Sequence, residues 1–419
     1  MTLDAPELPD AEDDHEARFA PEGLDALERA SMPAGARTVS FDGQRVGFDL
    51  AGLASLVADA GITRPMLLVD RRAVHAAGLG STLAEQLPRH DRVFDAIEPN
   101  PTARLARAAI DAARRAGADG LVAVGGGSCI DLAKATAIGL EQRSDVDATF
   151  AGALGIHGAA PLVAAPTTAG SGSQATSFGV LYVEGRKRSL DHPSLRPRAV
   201  VLDRRFIEAL PGRLSAISGL DALCQCVESI WACGATDRSR ALAAAGGGLL
   251  SEHLRAAAGD HEPGACRAIM LGAHLSGCAI NISRTTAAHA YSYAITLRHG
   301  VPHGLAVALS LGWVAAWNAG VDEASCQHPL GAASARALVT RAAAMLGVDP
   351  AGVGPAMAAL LDTLGLPASL SAAGVPERDL PVLAASMDPL RLGNNPRALT
   401  RDDVLACTAG LPARPSDAG

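Results

Sequence analysis

The chain has 419 residues, of which 48% are hydrophobic and 19% are charged. This size and composition are typical of a folded protein with two domains and exclude a disordered or fibrous chain. The net charge of −8 is carried by residues 1–29, which hold ten acidic and two arginine side chains. Because the remaining chain is close to neutral, a nucleic-acid partner is not expected. We expect residues 1–35 to form an acidic disordered tail.

The sequence shows no targeting or membrane-spanning segment of the usual kinds. Its first residues lack the basic start and apolar stretch of a signal peptide, and no run reaches the roughly 18 apolar residues of a membrane helix. Eight cysteines without a CxxC pattern favour reduced thiols over a disulfide framework or a zinc knuckle. We therefore expect a cytoplasmic protein with no membrane partner.

After the tail, short apolar runs alternate with helical patterns. The apolar runs lie at 65–70, 92–97, 120–128 and 161–168, and a long helix is predicted over 102–117. Strands separated by helices predict a parallel sheet of the nucleotide-binding, Rossmann-like kind. We assign this α/β domain to residues 36–205.

The pattern changes near residues 200–203, and helices dominate from about residue 206 onward. Ala-rich amphipathic runs are found at 239–258, 265–280, 303–317, 332–346 and 354–364, and Thr400 provides an N-cap for a last short helix. We therefore expect an all-helical domain over 206–419. The cleft between the two domains is the default functional site.

The segment LVAVGGGSCIDLAK (121–134) joins a predicted strand to a predicted helix. Its turn is made of small residues, namely Gly125, Gly126, Gly127 and Ser128. Exposed backbone N–H groups and a helix N-terminus at this place suit the pyrophosphate of a dinucleotide. Asp131 and Lys134 lie one helical turn apart and can reach the same side. The alternative is that the glycines serve only a tight turn.

Two further segments favour a dinucleotide site. Asp70 follows an early strand, where an acid can bind the adenosine ribose and repel a 2′-phosphate, which favours NAD(H) over NADP(H). Arg71 and Arg72 follow directly and leave NADP(H) open. The loop 165–178 is rich in glycine and in hydroxyl donors, among them Thr167, Thr168, Ser171 and Ser173. A merely flexible loop is the alternative for this stretch.

Histidines and an aspartate on separate predicted helices indicate a divalent metal site. His289 and Tyr293 lie one turn apart on one helix, and His303 begins the next. Asp221 lies on an earlier, mostly apolar helix, with Gln225 one turn after it. Imidazole and carboxylate ligands suit Fe²⁺ or Zn²⁺.

Taken together, these residues resemble the iron-containing (group III) alcohol dehydrogenase family over about residues 40–405. The resemblance rests on six ordered features: EPNPT (98–102), GGGSCIDLAK (125–134), PTTAGSGSQAT (166–176), SGLDAL (218–223), the His289–His303 pair and NNPR (394–397). It implies the dehydroquinate synthase-like architecture, an α/β nucleotide-binding domain followed by a helical metal domain. It also implies a homo-oligomer, a dimer or larger.

The resemblance implies roles for individual residues. Glycines 125–127 and Ser128 would hold the cofactor's pyrophosphate, while Asp131, Lys134, Thr167 and Thr168 would surround its nicotinamide half. Ser171 is a further candidate contact to the cofactor. The metal ligands would be Asp221, Gln225, His289 and His303. The family's usual ligand at position 225 is histidine, so Gln225 is a departure that weakens the metal site. Tyr293 stands where the family commonly has a second histidine and is a candidate proton donor, as are bound water and the cofactor ribose.

Within the family, three segments are most similar to the branch of phosphonoacetaldehyde reductases, also called hydroxyethylphosphonate dehydrogenases. These segments are 187–197, 228–232 and 285–293. The implied reaction is reduction of phosphonoacetaldehyde to 2-hydroxyethylphosphonate in phosphonate natural-product biosynthesis. A dianionic substrate needs cationic partners, for which the candidates are Lys187, Arg284 and Arg298.

Three alternatives remain open at this point. One is another small-aldehyde or alcohol dehydrogenase of the same family. The second is a sugar-phosphate cyclase that uses NAD and a metal on the same architecture. The third is a binding protein in which Gln225 has abolished metal binding and catalysis.

Overall fold

The computed structural model describes residues 23–31, 38–88, 92–142, 146–387 and 389–408. The strands are β1 (Thr38–Phe41), β2 (Gln44–Gly47), β3 (Pro65–Val69), β4 (Val93–Phe94), β5 (Gly120–Gly125), β6 (Leu162–Pro166), β7 (Phe178–Val183), β8 (Arg186–Asp191) and β9 (Ala199–Val201). The helices of the first half are α1 (Leu24–Ser31), α2 (Leu53–Asp59), α3 (Arg71–Ala76), α4 (Gly80–Gln86), α5 (Ala103–Arg115), α6 (Gly127–Glu141) and α7 (Val146–Ala151).

The second half is helical. Its helices are α8 (Arg205–Glu208), α9 (Gly212–Trp231), α10 (Asp237–Gly259), α11 (Pro263–Ser283), α12 (Ala287–His299), α13 (His303–Ala319), α14 (Gly331–Ala344), α15 (Val353–Thr363), α16 (Leu380–Ala385), α17 (Pro389–Gly393) and α18 (Arg401–Thr408). Helix α9 lies at the centre, since nearly every residue from Ser215 to Trp231 is buried. The expected helical domain is therefore confirmed.

The first half contains a seven-stranded sheet in the order β1-β2-β9-β6-β5-β3-β4. Strands β1 and β2 are antiparallel, and all other neighbours are parallel. Every residue of β5 and β6 is buried, because helices cover both faces of a parallel sheet and require nearly continuous apolar runs. The predicted parallel α/β fold is confirmed, and the carboxyl ends of β5 and β6 face the helical half.

The structure corrects the predicted tail in part. Residues 24–31 form helix α1 rather than a disordered segment, since Leu24 and Leu27 lie one turn apart and pack on the core, with Leu27 fully buried. The rest of the tail lies outside the described residues.

Two hairpins are absent from the sequence-based prediction. The β1–β2 turn places Asp42 and Gly43 at φ 49° and 77°, and the β7–β8 turn places Glu184 and Gly185 at φ 50° and 74°. Two successive residues with positive φ form the turn that suits a two-residue hairpin. The dipeptide Asp42-Gly43 is a strong signal for such a turn, and it could have revealed the first hairpin.

One helix among the described residues is long and apolar enough to cross a membrane by length and composition, namely α11. In the structure, 78% of its apolar window is buried inside the protein. It is therefore accounted for as a core helix, which packs against α9 and α10.

Candidate active site

Three side chains from different helices converge in the helical half. Asp221 on α9, His289 on α12 and His303 at the start of α13 each offer one ligand atom, and these atoms all lie within 4.8 Å of one another. Asp221 Oδ1 lies 3.4 Å from His289 Nε2 and 3.7 Å from His303 Nε2. This is the grouping that the sequence predicted from separate helices.

Hydrogen bonds fix which nitrogen of each imidazole carries the hydrogen. His289 Nδ1 donates to the buried carboxylate of Glu228, which leaves Nε2, the nitrogen that faces Asp221, as the atom to bind a cation. Ser292 Oγ donates its one hydrogen to the His289 carbonyl at 2.8 Å, so at 3.2 Å it can only accept from His303 Nδ1. Both Nε2 atoms are therefore presented as metal ligands, with their other nitrogens held in the usual manner.

The donor set fits a divalent cation. Asp221 Oδ1 and His289 Nε2 are buried and have no hydrogen-bond partner in the described part of the chain, which is costly unless another group binds them. Burial lowers the pKa of His303 to about 4, so its imidazole is neutral near pH 7. Burial alone would raise the pKa of Asp221, but His303 and His289 lower it and keep the carboxylate ionised. One carboxylate and two imidazoles suit Fe²⁺ or Zn²⁺ with a position left open.

Glu228 is a functional residue that the sequence analysis missed. It is fully buried, and its Oε1 accepts hydrogen bonds from Thr286 Oγ1 at 2.6 Å and from the Ala288 amide at 2.8 Å. Burial alone would lower the pKa of His289, but Glu228 and Asp221 raise it to about 10, so a cation that binds Nε2 would displace a proton from it. Its spacing of seven residues from Asp221, two helical turns on the same face, is the signal that could have identified it.

Gln225 lies on the same face of α9 but turns toward α11. It is 3% exposed, and its Oε1 accepts a hydrogen bond of 2.8 Å from Ser276 Oγ, which also contacts the Ala222 carbonyl at 3.1 Å. The expected ligand oxygen is thus engaged in a contact between helices. The three ligand atoms that converge belong to Asp221, His289 and His303, and Gln225 is directed to Ser276 on α11.

Tyr293 lies beside the cluster. Its ring stacks on that of His303 with centroids 5.6 Å apart and an angle of 16° between the planes. The ammonium of Lys187, on strand β8, lies 3.4 Å from the centroid of the same ring. The structure therefore joins a predicted substrate residue, the predicted proton donor and a metal ligand in one stack across the cleft.

The other two predicted substrate cations are placed differently. Arg284 Nη2 pairs with Asp191 Oδ2 at 2.5 Å, and its guanidinium lies over the ring of Phe178. Arg298 is exposed in the last turn of α12, roughly 13 Å along the helix axis from His289. The structure does not bring Arg298 to the cluster, which corrects that expectation.

The glycine turn lies at the carboxyl end of β5, where α6 begins at Gly127. Gly126 precedes the helix, no side chain of the described residues caps the first amides, and residues 126–128 are half-buried. A Cβ atom on Gly127 would lie 2.6 Å from Ser171 Oγ, so the 165–178 loop packs directly on the turn. Ser128 Oγ accepts from the Asn100 amide at 3.3 Å. These uncapped amides could bind an anion such as pyrophosphate.

The loop after β6 completes this edge of the sheet. The amide of buried Thr167 donates to the Gly125 carbonyl at 3.1 Å, and Thr168 is half-buried beside Gly126. A Cβ atom on Gly172, which has φ 63°, would lie 2.5 Å from Gly277 Cα in α11. The loop therefore links the glycine turn to the helical half.

Asp131 and Lys134 hold the same loop and the strand after it. Asp131 accepts a 2.5 Å hydrogen bond from Ser173 Oγ, and the fully buried Lys134 donates to the Thr176 carbonyl and hydroxyl at 2.9 Å and to the Phe178 carbonyl at 2.5 Å. Burial lowers the pKa of Lys134 to about 7, opposed by Asp131. Because all three donors of Lys134 are engaged, the structure corrects its predicted contact with the nicotinamide to a supporting role.

Asp70 lies next to the glycine turn at the end of β3. Its Oδ1 accepts from the amides of Arg72 at 3.0 Å and Ala73 at 3.3 Å, so it caps helix α3. A Cβ atom on Gly125 would lie 3.5 Å from Asp70 Cβ, which places the carboxylate at the edge of the predicted cofactor site. Arg71 pairs with Asp95 at 2.5 Å.

Comparison with known proteins agrees with this geometry. The family model for iron-containing alcohol dehydrogenase matches residues 47–204, and the model for the C-terminal part of the Fe-containing alcohol dehydrogenase family matches residues 215–409. Phosphonoacetaldehyde reductase of Streptomyces viridochromogenes is 34% identical over 316 residues, which cover 73% of this chain and 78% of that protein.

One further related sequence and one solved structure are also similar to this chain over most of its length. The probable alcohol dehydrogenase EutG of Salmonella typhimurium is 29% identical and covers 82% of this chain and 86% of its own length. The crystal structure of sulfoacetaldehyde reductase from Bifidobacterium kashiwanohense in complex with NAD⁺ superposes with a TM-score of 0.77 at 24% identity, covering 87% of this chain and 96% of that one. The chain is an oxidoreductase that belongs to the iron-containing alcohol dehydrogenase family.

Proposed function

We propose that the protein reduces phosphonoacetaldehyde to 2-hydroxyethylphosphonate with NADH and one divalent metal ion, as a step of phosphonate natural-product biosynthesis. The observation that carries the proposal is the convergence of Asp221, His289 and His303 within 4.8 Å, where Asp221 Oδ1 and His289 Nε2 have no hydrogen-bond partner among the described residues. The 34% identity to a phosphonoacetaldehyde reductase supports the choice of aldehyde.

The roles of the residues follow from their positions. Fe²⁺ or Zn²⁺ bound at the cluster would supply Lewis acidity toward the aldehyde carbonyl, and NADH would supply the hydride. Asp221, His289 and His303 hold the cation, and His289 is oriented by Glu228. Tyr293, stacked on His303, is the candidate donor of the proton that the developing alkoxide needs.

The cofactor edge supports NAD(H) over NADP(H). The uncapped amides at the start of α6 bind the pyrophosphate, and Thr168 and Ser171 line the same turn. Asp70 sits at the carboxyl end of β3, where an acid accepts the ribose hydroxyls and repels a 2′-phosphate. Arg71, a potential partner for that phosphate, is held by Asp95. Comparing KM values for NADH and NADPH tests this choice.

The substrate is tested by steady-state NADH oxidation with phosphonoacetaldehyde and with an uncharged aldehyde of similar size. We expect a higher kcat/KM for the phosphonate. If the uncharged aldehyde is used as well or better, the phosphonate assignment is wrong and the family assignment stands. Continuous consumption of NADH also separates this activity from a sugar-phosphate cyclase, which regenerates its NAD within each turnover.

The metal is tested by elemental analysis of the purified wild type and of two variants. We expect His289→Ala to lose most of the metal. Gln225→His, one turn from Asp221 on the same face of α9, should retain more than the wild type by adding an imidazole ligand. Equally little metal in the wild type and in His289→Ala would overturn the enzymatic proposal in favour of a metal-free binding protein.

We also propose that the protein acts in the cytoplasm, where its NADH is available, and that it forms a homo-oligomer. Fractionation of cells and light scattering of the purified protein test these two statements.

A further inference from the structure

The β7–β8 hairpin has one face toward the sheet domain and one toward the helical half. Leu181 and Leu190 are buried in the core beside α6, and a Cβ atom on Gly179 would lie 3.1 Å from Lys134 Cδ. Side chains on the opposite face therefore lie toward the cleft. The register pairs Tyr182 with Lys187, so these two residues share that opposite face.

Lys187 reaches the metal cluster from this hairpin. Its Nζ lies 3.4 Å from the Tyr293 ring centroid, and that centroid lies 5.6 Å from the centroid of His303. The ammonium is therefore at most about 9 Å from the imidazole ring. Its charge also lowers the pKa of Asp221, on α9 of the helical half, and of Asp131, on α6 of the sheet domain.

Lys187 is the basic side chain near the metal cluster that forms no ion pair with a described acidic residue. Within the described part of the chain, no carboxylate oxygen lies within 4.0 Å of its Nζ, whereas Arg284 is paired with Asp191. Lys187 is exposed to the cleft, while the other lysine, Lys134, is fully buried. The cleft thus contains one available ammonium close to the metal site.

We infer that Lys187 is the specificity-determining residue for the anionic end of the substrate. This inference rests on the proposed function and deepens it, since it assigns recognition of the phosphonate to one side chain of the nucleotide-binding half. The ligand class is a two-carbon aldehyde with a terminal phosphonate or similar oxyanion.

The spacing suits a short substrate. A cation bound at the cluster holds an oxygen at about 2 Å, and a charge-assisted N–H···O contact adds about 2.8 Å. The carbonyl oxygen and a phosphonate oxygen of an extended two-carbon aldehyde are about 4–5 Å apart by ordinary bond lengths. These lengths sum to about 9–10 Å, which is comparable with the upper bound of about 9 Å between Lys187 Nζ and the centroid of the His303 ring.

The Tyr293 ring explains how a flexible lysine can distinguish an anionic aldehyde from an uncharged one. A free lysine loses about 2 kcal/mol of rotamer entropy when it is fixed, but a cation–π contact holds Nζ over the ring before substrate binds. Tyr293 is thus a positioning residue for Lys187, in addition to its proposed role as proton donor. The two roles separate because the ring positions the lysine and the hydroxyl carries the proton.

The test compares the ratio of kcat/KM for phosphonoacetaldehyde to kcat/KM for an uncharged aldehyde of similar size. We expect Lys187→Met to lower this ratio roughly 10- to 100-fold, the loss of a charge-assisted contact, and Lys187→Glu to lower it further by repulsion. Arg298→Met is the matched control, since it removes an exposed cation remote from the cluster and should keep the wild-type ratio. Tyr293→Leu should lower the ratio, while Tyr293→Phe should preserve it even where turnover falls.

The outcomes distinguish the two proposals. A wild type without preference for the phosphonate overturns the proposed substrate, and this inference with it. A wild-type preference that persists in both Lys187→Met and Lys187→Glu overturns the inference alone. Unchanged NADH binding by the variants, followed by fluorescence, establishes that they are folded and that the loss concerns the aldehyde.

Discussion

Glu228 shows how a single buried acid can set the chemistry of a neighbouring ligand. A buried carboxylate is costly unless hydrogen bonds satisfy it, and Glu228 receives them from Thr286 Oγ1, the Ala288 amide and His289 Nδ1. Thr286 in turn accepts from the Trp231 indole at 3.0 Å. The network spans α9 and the start of α12, so it fixes both the position and the tautomer of His289.

Replacing this acid by its amide should weaken the metal site. In Glu228→Gln, an amide oxygen that serves Thr286 and Ala288 turns the amide nitrogen toward His289 Nδ1. The imidazole must then accept there and carry its hydrogen on Nε2, the atom that faces Asp221. We expect metal affinity to fall about 10- to 100-fold, measured by competition with a chelator.

The control for this prediction is Glu252→Gln, the same substitution on a side chain that is 74% exposed on α10. It should bind metal as the wild type does. Undiminished affinity in Glu228→Gln would show that the carboxylate does not set the state of His289.

At the residue scale, spacing and residue type predicted the three converging ligands. They could not predict the hydrogen-bond partners of the other side chains. Lys134 has the position of a cofactor residue, but folding directs it to Thr176 and Phe178. Gln225 has the spacing of a ligand, but the partner that engages it, Ser276, comes from a helix 51 positions later. Such competition depends on tertiary neighbours, which one sequence does not reveal.

At the scale of elements, the metal cluster depends on how closely α13 approaches α9. A Cβ atom on Gly304 would lie 2.1 Å from the Ile217 carbonyl oxygen and 3.0 Å from Asp221 Cβ. The absence of a side chain at Gly304 therefore lets His303, the residue before it, lie beside Asp221. The PHG motif that predicted a helix start also encodes this helix contact.

Gly304→Ala should separate the two helices. The added methyl group meets backbone that cannot move aside locally, so we expect a loss of stability of about 1–3 kcal/mol and weaker metal binding. Thermal unfolding and metal content measure the two effects. Gly354→Ala on α15 is the control, since its Cβ atom would lie 3.7 Å from the nearest neighbour, Gly312 Cα. A Gly304→Ala protein with wild-type stability and metal content would contradict the close-contact argument.

Elements were predictable where their apolar pattern extended over a buried face. The runs around β5 and β6 and the long helices of the second half carry such patterns, because each buries a face against several neighbours. The β8 strand does not, since its residues are exposed except Leu190. A strand that forms one wall of a cleft lacks the alternation that periodicity detects, and this is why the hairpin carrying Lys187 is found only in the structure.

At the scale of the whole molecule, Asp42 joins the two halves that form the cleft. It lies in the β1–β2 turn and accepts hydrogen bonds from Arg196 and, at 2.6 Å and 3.1 Å, from Arg238 on α10. Arg196 also donates to the Ala175 carbonyl at 2.9 Å, within the loop that follows β6. One carboxylate thus links the sheet domain, the cofactor loop and the helical half.

This link predicts a pH-dependent stability. Burial alone would raise the pKa of Asp42, but Arg196 and Arg238 lower it below its ordinary value of 3.8. The carboxylate therefore binds fewer protons in the folded than in the unfolded state, so its stabilisation is present above about pH 4 and is lost as the pH falls through the folded-state pKa. The ion pairs of Asp42 with Arg196 and Arg238 should therefore stabilise the folded state most at neutral pH.

Asp42→Asn tests the link, since the amide keeps the size of the side chain and removes its charge. The side chain of Asp42 is only 11% exposed, so we expect a loss of about 2 kcal/mol at pH 7. The gap in stability between variant and wild type should narrow as the pH falls through the folded-state pKa of Asp42, because the wild-type carboxyl group is then protonated as well. Asp237→Asn, whose side chain is 70% exposed in its pair with Arg240, should stay near the wild type throughout. A gap in the melting temperature that stays the same between pH 7 and the lowest pH at which both proteins remain folded would show that Asp42 acts through shape rather than charge.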